Sequence, residues 1–128
     1  FVIKAGPKTL ALIRDEGLRP ERIRVLAGAA GGPKWLVLYH LDRLLFSAFF
    51  KELTTPLHLI GSSIGAWRFA ALSQPDPLAA LDRFRDAYIH QTYATAPTAA
   101  EVTAESRNVM DRFLPEEAVI APATTRIG

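Results

Sequence analysis

Cysteine is absent from the 128 residues of this chain. A disulfide framework, a thiol nucleophile and a cysteine-based zinc site are thereby excluded. The composition fits a reducing compartment. Histidine is scarce: His40, His58 and His90 fall in three separate stretches and make no metal-ligand set. No metal and no other cofactor is expected. Long apolar runs are missing as well. The opening Phe1-Val2-Ile3-Lys4-Ala5-Gly6 is too short for a secretory signal. The amphipathic stretch 34–51 is too short and too charged to span a bilayer. Also missing is a block of basic charge. Eleven arginines and four lysines are interspersed with acids, as in Arg14-Asp15-Glu16, Asp42-Arg43 and Asp82-Arg83-Phe84-Arg85-Asp86, and the net charge is only +2. That pattern predicts a solvated charged surface and gives no footprint for nucleic acid. An initial methionine is lacking too, and residues before Phe1 are expected. Nearly half of the residues are apolar, enough for one globular domain with a real core.

What is present is organised around Gly61-Ser62-Ser63-Ile64-Gly65. This G-x-S-x-G comes after the apolar run Leu57-His58-Leu59-Ile60 and leads into Ala66-Trp67-Arg68-Phe69-Ala70-Ala71-Leu72. Strand, sharp turn and helix are the context that a nucleophile elbow requires. Backbone N–H groups at the start of the helix would face any negative charge developing beside the serine. Ser63 is therefore the candidate nucleophile, framed by Gly61, Ile64 and Gly65.

Upstream, Pro7 to Glu16 reads as a short helix with Leu10 and Ile13 on its apolar side, stopped at Gly17. Residues 22–27 read as a strand that becomes continuously apolar, as buried parallel strands do. Next comes Gly28-Ala29-Ala30-Gly31-Gly32-Pro33-Lys34. Small residues let the backbone approach a ligand, and Pro33 suits the first position of a helix. A P-loop is excluded, because Pro33 stands where its second glycine belongs and Trp35 where its Ser or Thr would hold magnesium. A dinucleotide fingerprint is excluded as well, since G-x-G-x-x-G does not occur. An oxyanion loop and a bland tight turn both remain open.

The stretch 34–51 predicts one amphipathic helix, with Trp35, Tyr39, Phe46 and Phe50 in an aromatic stripe packed as core. After the elbow helix, Asp76 reads as an N-cap and Pro77 as a first helical residue, with Leu78, Leu81, Phe84 and Tyr88 giving the apolar stripe. Thr98-Ala99-Ala100-Glu101 is a capping-box pattern. It opens a helix marked by Val102, Val109, Met110 and Phe113. Ala118-Val119-Ile120 is a possible strand. Strands alternating with helices predict an α/β fold, a mostly parallel sheet with helices on both faces. Two or three strands are too few to finish such a sheet, so an incomplete domain is expected.

The pairing of Ala29-Ala30-Gly31-Gly32-Pro33-Lys34 with Gly61-Ser62-Ser63-Ile64-Gly65, about thirty residues later, resembles the patatin-like phospholipase family. That family carries an Asp-Gly-Gly-Gly-x-Arg-Gly oxyanion loop after its first strand and a G-x-S-x-G elbow after its second. The resemblance covers about residues 22–90. On this chain the triple glycine falls on Ala30, Gly31 and Gly32, the basic residue on Lys34 and the nucleophile on Ser63. The chain departs from the pattern at Ala29, Ala30, Lys34 and Trp35. Lys34 keeps the charge of the family's arginine but not its fork.

The resemblance implies that residues 1–128 are the N-terminal part of a single patatin-like acyl hydrolase domain. It implies a phospholipase or esterase acting on a lipid or ester substrate, and a cytoplasmic protein peripheral to a membrane surface. Ser63 would attack the ester carbonyl while N–H groups of Gly31, Gly32 and Ile64 hold the oxyanion. Lys34 would support the loop or meet a phosphate head group. The family's base is an Asp in a downstream Asp-Gly or Asp-Ala dipeptide. Only Asp86-Ala87 has that form here, in mid-helix, so the base is expected beyond residue 128. Two alternatives stand beside this one. One is another serine acyl enzyme, an α/β-hydrolase or an acyl-carrier transacylase, which needs a histidine downstream of the serine. The other is a non-catalytic remnant in which Ser63 merely caps a helix. Oligomeric state is not legible in the sequence.

Overall fold

The computed structural model describes residues 2–114, so the possible strand at 118–120 lies outside the described residues. The elements run α1 (Pro7–Glu16), a short 3₁₀ turn (Pro20–Arg22), β1 (Val25–Gly28), a 3₁₀ segment (Gly32–Leu38), α2 (Tyr39–Leu44), a π-helical turn (Leu45–Phe49), β2 (His58–Gly61), α3 (Ile64–Leu72), α4 (Pro77–Ile89) and α5 (Ala99–Phe113). The first strand starts at Val25, not at residue 22 as expected, because Arg22 belongs to the turn.

Local chemistry explains most boundaries. Pro7 opens α1, and the Gly17 N–H closes it on the Ile13 carbonyl. The Asp76 carboxylate accepts from the Ala79 N–H at 3.0 Å and caps α4. Thr98 Oγ1 accepts from the Glu101 N–H at 3.2 Å and caps α5. The reciprocal arm of the capping box is redirected: Glu101 accepts from the Ala94 N–H at 2.8 Å, bracing the preceding loop. Asp76→Ala removes the side-chain partner of the Ala79 amide and is expected to cost about 1 kcal/mol. Chemical denaturation of the variant checks this.

β1 and β2 pair in parallel, with Val25 opposite His58 and Gly28 opposite Gly61. A parallel pair needs a crossover, here the helical stretch between them. The molecule is thus α/β, with a two-stranded sheet among the described residues. Side chains alternate along each strand. Leu26 and Leu59 face the helices and pack on the core. Val25 and Ile60, on the other face, are 49% and 63% exposed. Helical cover on both faces was the expectation; among the described residues it is found on one. On the covered face α3 lies on both strands, α4 packs on α3, and α5 packs on α4. Phe84, Phe113, Leu81 and Val109 form the driest part of the core, and all four belong to α4 and α5.

The stretch 34–51 is not one α-helix. It winds tightly as 3₁₀, then as α, then widely as π. This change of winding lets one segment serve two clusters. Trp35 and Tyr39 enter the main core, where Trp35 stacks on Phe84 at 4.4 Å. Phe50 enters a second cluster with Leu53 and Leu57. The aromatic stripe is core, as its spacing predicts.

The expectation of a uniformly solvated charged surface is corrected at two places. Asp42 and Arg68 are both buried. Tyr39 donates to Asp82, with the Arg43 guanidinium also on Asp82 and that of Arg85 on the Tyr39 hydroxyl, so that a half-buried network ties α2 to α4.

Candidate active site

The site lies at the carboxyl ends of the two parallel strands. Gly28 and Gly61 end their strands side by side, and the Ser62 N–H donates to the Gly28 carbonyl at 3.0 Å. The Gly-rich loop after β1 and the elbow after β2 therefore leave the sheet from the same edge. In open α/β sheets, ligands are bound outside such strand ends.

The elbow is tight because two of its residues have no side chain. A Cβ at Gly61 would fall on the Ala66 amide, 2.5 Å from the Ala66 Cα. A Cβ at Gly65 would fall on the Gly28 carbonyl, 2.6 Å from its carbon and 2.9 Å from the Ala29 oxygen. The first glycine lets α3 fold back over the end of β2. The second lets α3 lie directly on the start of the Gly-rich loop. The G-x-S-x-G spacing is thus explained by backbone contact at both glycines.

Ser63 sits between them at φ 52°, ψ −127°, the only non-glycine residue with positive φ among the described residues. Such a conformation costs on the order of 1–3 kcal/mol and persists only where the surroundings impose it. Ser63 occupies the N-cap position of α3, yet its side chain makes no capping hydrogen bond. The residue is exposed. Its hydroxyl is therefore held out at a helix start and is not used to hold that helix. The Ser63 side chain thus adds no capping hydrogen bond to α3. Ser63→Gly should relieve the strain and raise the unfolding free energy by about 1 kcal/mol, after allowing for the greater freedom of glycine in the unfolded chain. Urea unfolding of that variant against the parent reads the difference.

Backbone amides without a backbone partner occur both at the elbow and in the Gly-rich loop. Turn bonds at the elbow run from Gly65 N–H to the Ser62 carbonyl and from Ala66 N–H to the Ser63 carbonyl. The Ile64 N–H takes part in no backbone hydrogen bond among the described residues, as befits the first residue of a helix. Gly31 and Gly32 likewise donate no backbone bond among the described residues. Gly32 adopts φ 52°, a left-handed turn that glycine enters without strain. Lys34 is exposed, and its own amide closes the turn on the Gly31 carbonyl at 3.2 Å. Three unengaged amides thus lie in segments leaving adjacent strand ends. Trp35, just after Lys34, is 2% exposed and anchors the loop to α4 through Phe84 and Tyr88.

Asp86 is exposed on α4, and its Oδ1 is held by the Arg85 guanidinium at 2.6 Å and 2.9 Å. His90 Nδ1 is engaged with the Asp86 carbonyl at 2.7 Å. No group of three or more His, Asp or Glu with metal-site geometry occurs among the described residues, and none of their helices is long and apolar enough to cross a membrane.

Sequence reasoning missed the Asp42–Arg68 pair, whose Nε and Oδ2 lie 2.7 Å apart between α2 and α3. A signal was available. Asp42 shares the helical phase of Trp35, Tyr39 and Phe46. Arg68 shares that of Ile64, Gly65, Ala71 and Leu72. Both fall on stripes whose other members are buried or half-buried.

The chain matches no protein-family model, no curated protein and no solved structure.

Proposed function

We propose that this chain carries the nucleophile and the oxyanion donors of a serine acyl hydrolase of the patatin-like kind, acting on lipid esters. The observation that carries the reading is Ser63: strained backbone, free and exposed hydroxyl, at the start of a helix beside a Gly-rich loop. Strain of this sort on a serine whose hydroxyl makes no structural bond is explained by a need to present that hydroxyl.

In the reaction, Ser63 Oγ adds to the ester carbonyl carbon and gives its proton to a base. The carbonyl oxygen becomes an oxyanion, held by the Ile64, Gly31 and Gly32 amides. Collapse expels the alcohol and leaves an acyl group on Ser63, which water then removes. Asp86 is already engaged by Arg85, so we place the base outside the described residues. The lipid class rests on the resemblance of the loop and elbow to that family. Lys34, exposed beside the loop, suits a phosphate head group.

A phosphonate that forms a covalent serine adduct tests the reading. The expected result is one adduct, located on Ser63 by peptide mass spectrometry, with phospholipid vesicles slowing its formation by competition. Absence of an adduct from every form of the protein would overturn it.

A further inference from the structure

We propose that the buried Asp42–Arg68 ion pair is a positioning device for the site, holding the helix after the Gly-rich loop in register with the helix after the nucleophile. The inference rests on Ser63 being that nucleophile. Asp42 lies in α2, which continues the 3₁₀ segment beginning at Gly32. Arg68 lies in α3, which begins beside Ser63. Their side chains are 5% and 8% exposed, and Nε and Oδ2 are 2.7 Å apart, a charge contact without the alignment of a hydrogen bond. The Arg68 guanidinium also sits over the Phe69 ring at 4.9 Å. That ring in turn abuts Gly28, where a Cβ would come within 2.8 Å of it. A continuous set of contacts therefore runs from α2, through the pair and Phe69, to the residue at which β1 gives way to the loop.

Stability does not account for the pair. Taking both charges out of water offsets their attraction, and apolar pairs of similar volume are often as stable or more so. Burial pushes the Asp42 carboxyl up to about 6, against the opposing pull of Arg68. Its folded pKa lies above its unfolded value. Its contribution to stability is therefore fully present below about pH 4 and is lost as pH rises through about 6. At neutral pH the ionised carboxylate weighs on the fold. Arg68 is the charged group acting on Asp42. The charges of Arg43, Asp82 and Arg85 are engaged with one another and with Tyr39 and Asp86, on the side facing α4. What a buried pair supplies, and an apolar contact does not, is a penalty on separation: Arg68 is the charge acting on Asp42, so moving the two helices apart leaves both buried charges uncompensated.

The test separates positioning from folding. Asp42→Leu/Arg68→Met replaces the pair by apolar side chains of similar volume, and it is expected to keep a cooperative melt at the parental temperature or above. Its phosphonate labelling of Ser63 should nevertheless be about tenfold slower or more, because small misplacements of catalytic groups are costly. Arg68→Lys is a second, milder variant that keeps the charge and loses the planar fork. It should melt near the parent and label several-fold more slowly. Parental labelling rates in either folded variant would overturn the positioning role alone. A parent that forms no Ser63 adduct would overturn the reading of Ser63, and this proposal with it, before any variant is compared.

Discussion

Ser63→Ala is expected to abolish the phosphonate adduct and to lower ester turnover by on the order of 10³-fold or more, since the acyl intermediate loses the oxygen on which it forms. The same variant should unfold at the parental denaturant midpoint. The hydroxyl makes no capping bond, and alanine must adopt the same strained backbone as serine. A helix-capping serine would behave in the opposite way, losing about 1 kcal/mol of stability on truncation. Ser62→Ala is the matched control. Ser62 is also exposed, but it serves the elbow through its backbone N–H on the Gly28 carbonyl, which alanine retains. It should label as the parent does. Labelling and unfolding measured on the three proteins together distinguish nucleophile from cap. An unchanged adduct in Ser63→Ala would remove Ser63 from the chemistry.

The second large effect concerns the last glycine of the elbow. Gly65→Ala is expected to destabilise the protein by about 3 kcal/mol or more, at the upper end for overpacking. The added methyl meets backbone rather than a side chain that can rotate away: the Gly28 carbonyl and the Ala29 oxygen. Relief requires α3 to move off the end of β1. That movement separates the elbow from the Gly-rich loop, so labelling of Ser63 should fall together with stability. Gly6→Ala supplies the contrast. Nothing lies within 4 Å of a Cβ built there, and the backbone at φ −64° is ordinary for any residue. Its effect should stay within about 0.5 kcal/mol. Thermal melts of both variants check the pair of expectations. A Gly65→Ala protein as stable as the parent would mean that the close approach of α3 to the loop is not what the elbow glycine provides.

These expectations depend on features with different visibility in the chain. Helix boundaries set by local chemistry were legible. Pro7 and Gly17 bound α1, Asp76-Pro77 opens α4, and Thr98 opens α5, because a cap is made by residues three or four positions apart. The order of strand, Gly-rich loop, helix, strand, elbow and helix was legible for the same reason. Its parallel pairing is a consequence of the crossover between the strands. The motif itself marked Ser63 as the residue at the turn.

Other features depend on residues distant in sequence and were decided only by the folded chain. That the two glycines of the motif are required by contact with Gly28, Ala29 and Ala66 cannot be read from spacing, since two of those partners belong to another strand end. The winding of 32–49 as 3₁₀, α and π reflects two separate aromatic clusters competing for one segment. A hydrophobic pattern with helical period does not distinguish these windings. For Asp42 and Arg68 the helical phase points inward, but that each is buried against the other, across two helices, is a matter of packing. The sequence by itself thus determined the α/β order and the identity of the turn serine, both products of local pattern. Only the tertiary structure decided that Ser63 is strained with a free hydroxyl, that the loop and elbow share one edge, and that a buried ion pair joins the helices behind them. Backbone close approach and burial arise from packing between segments that the chain keeps far apart.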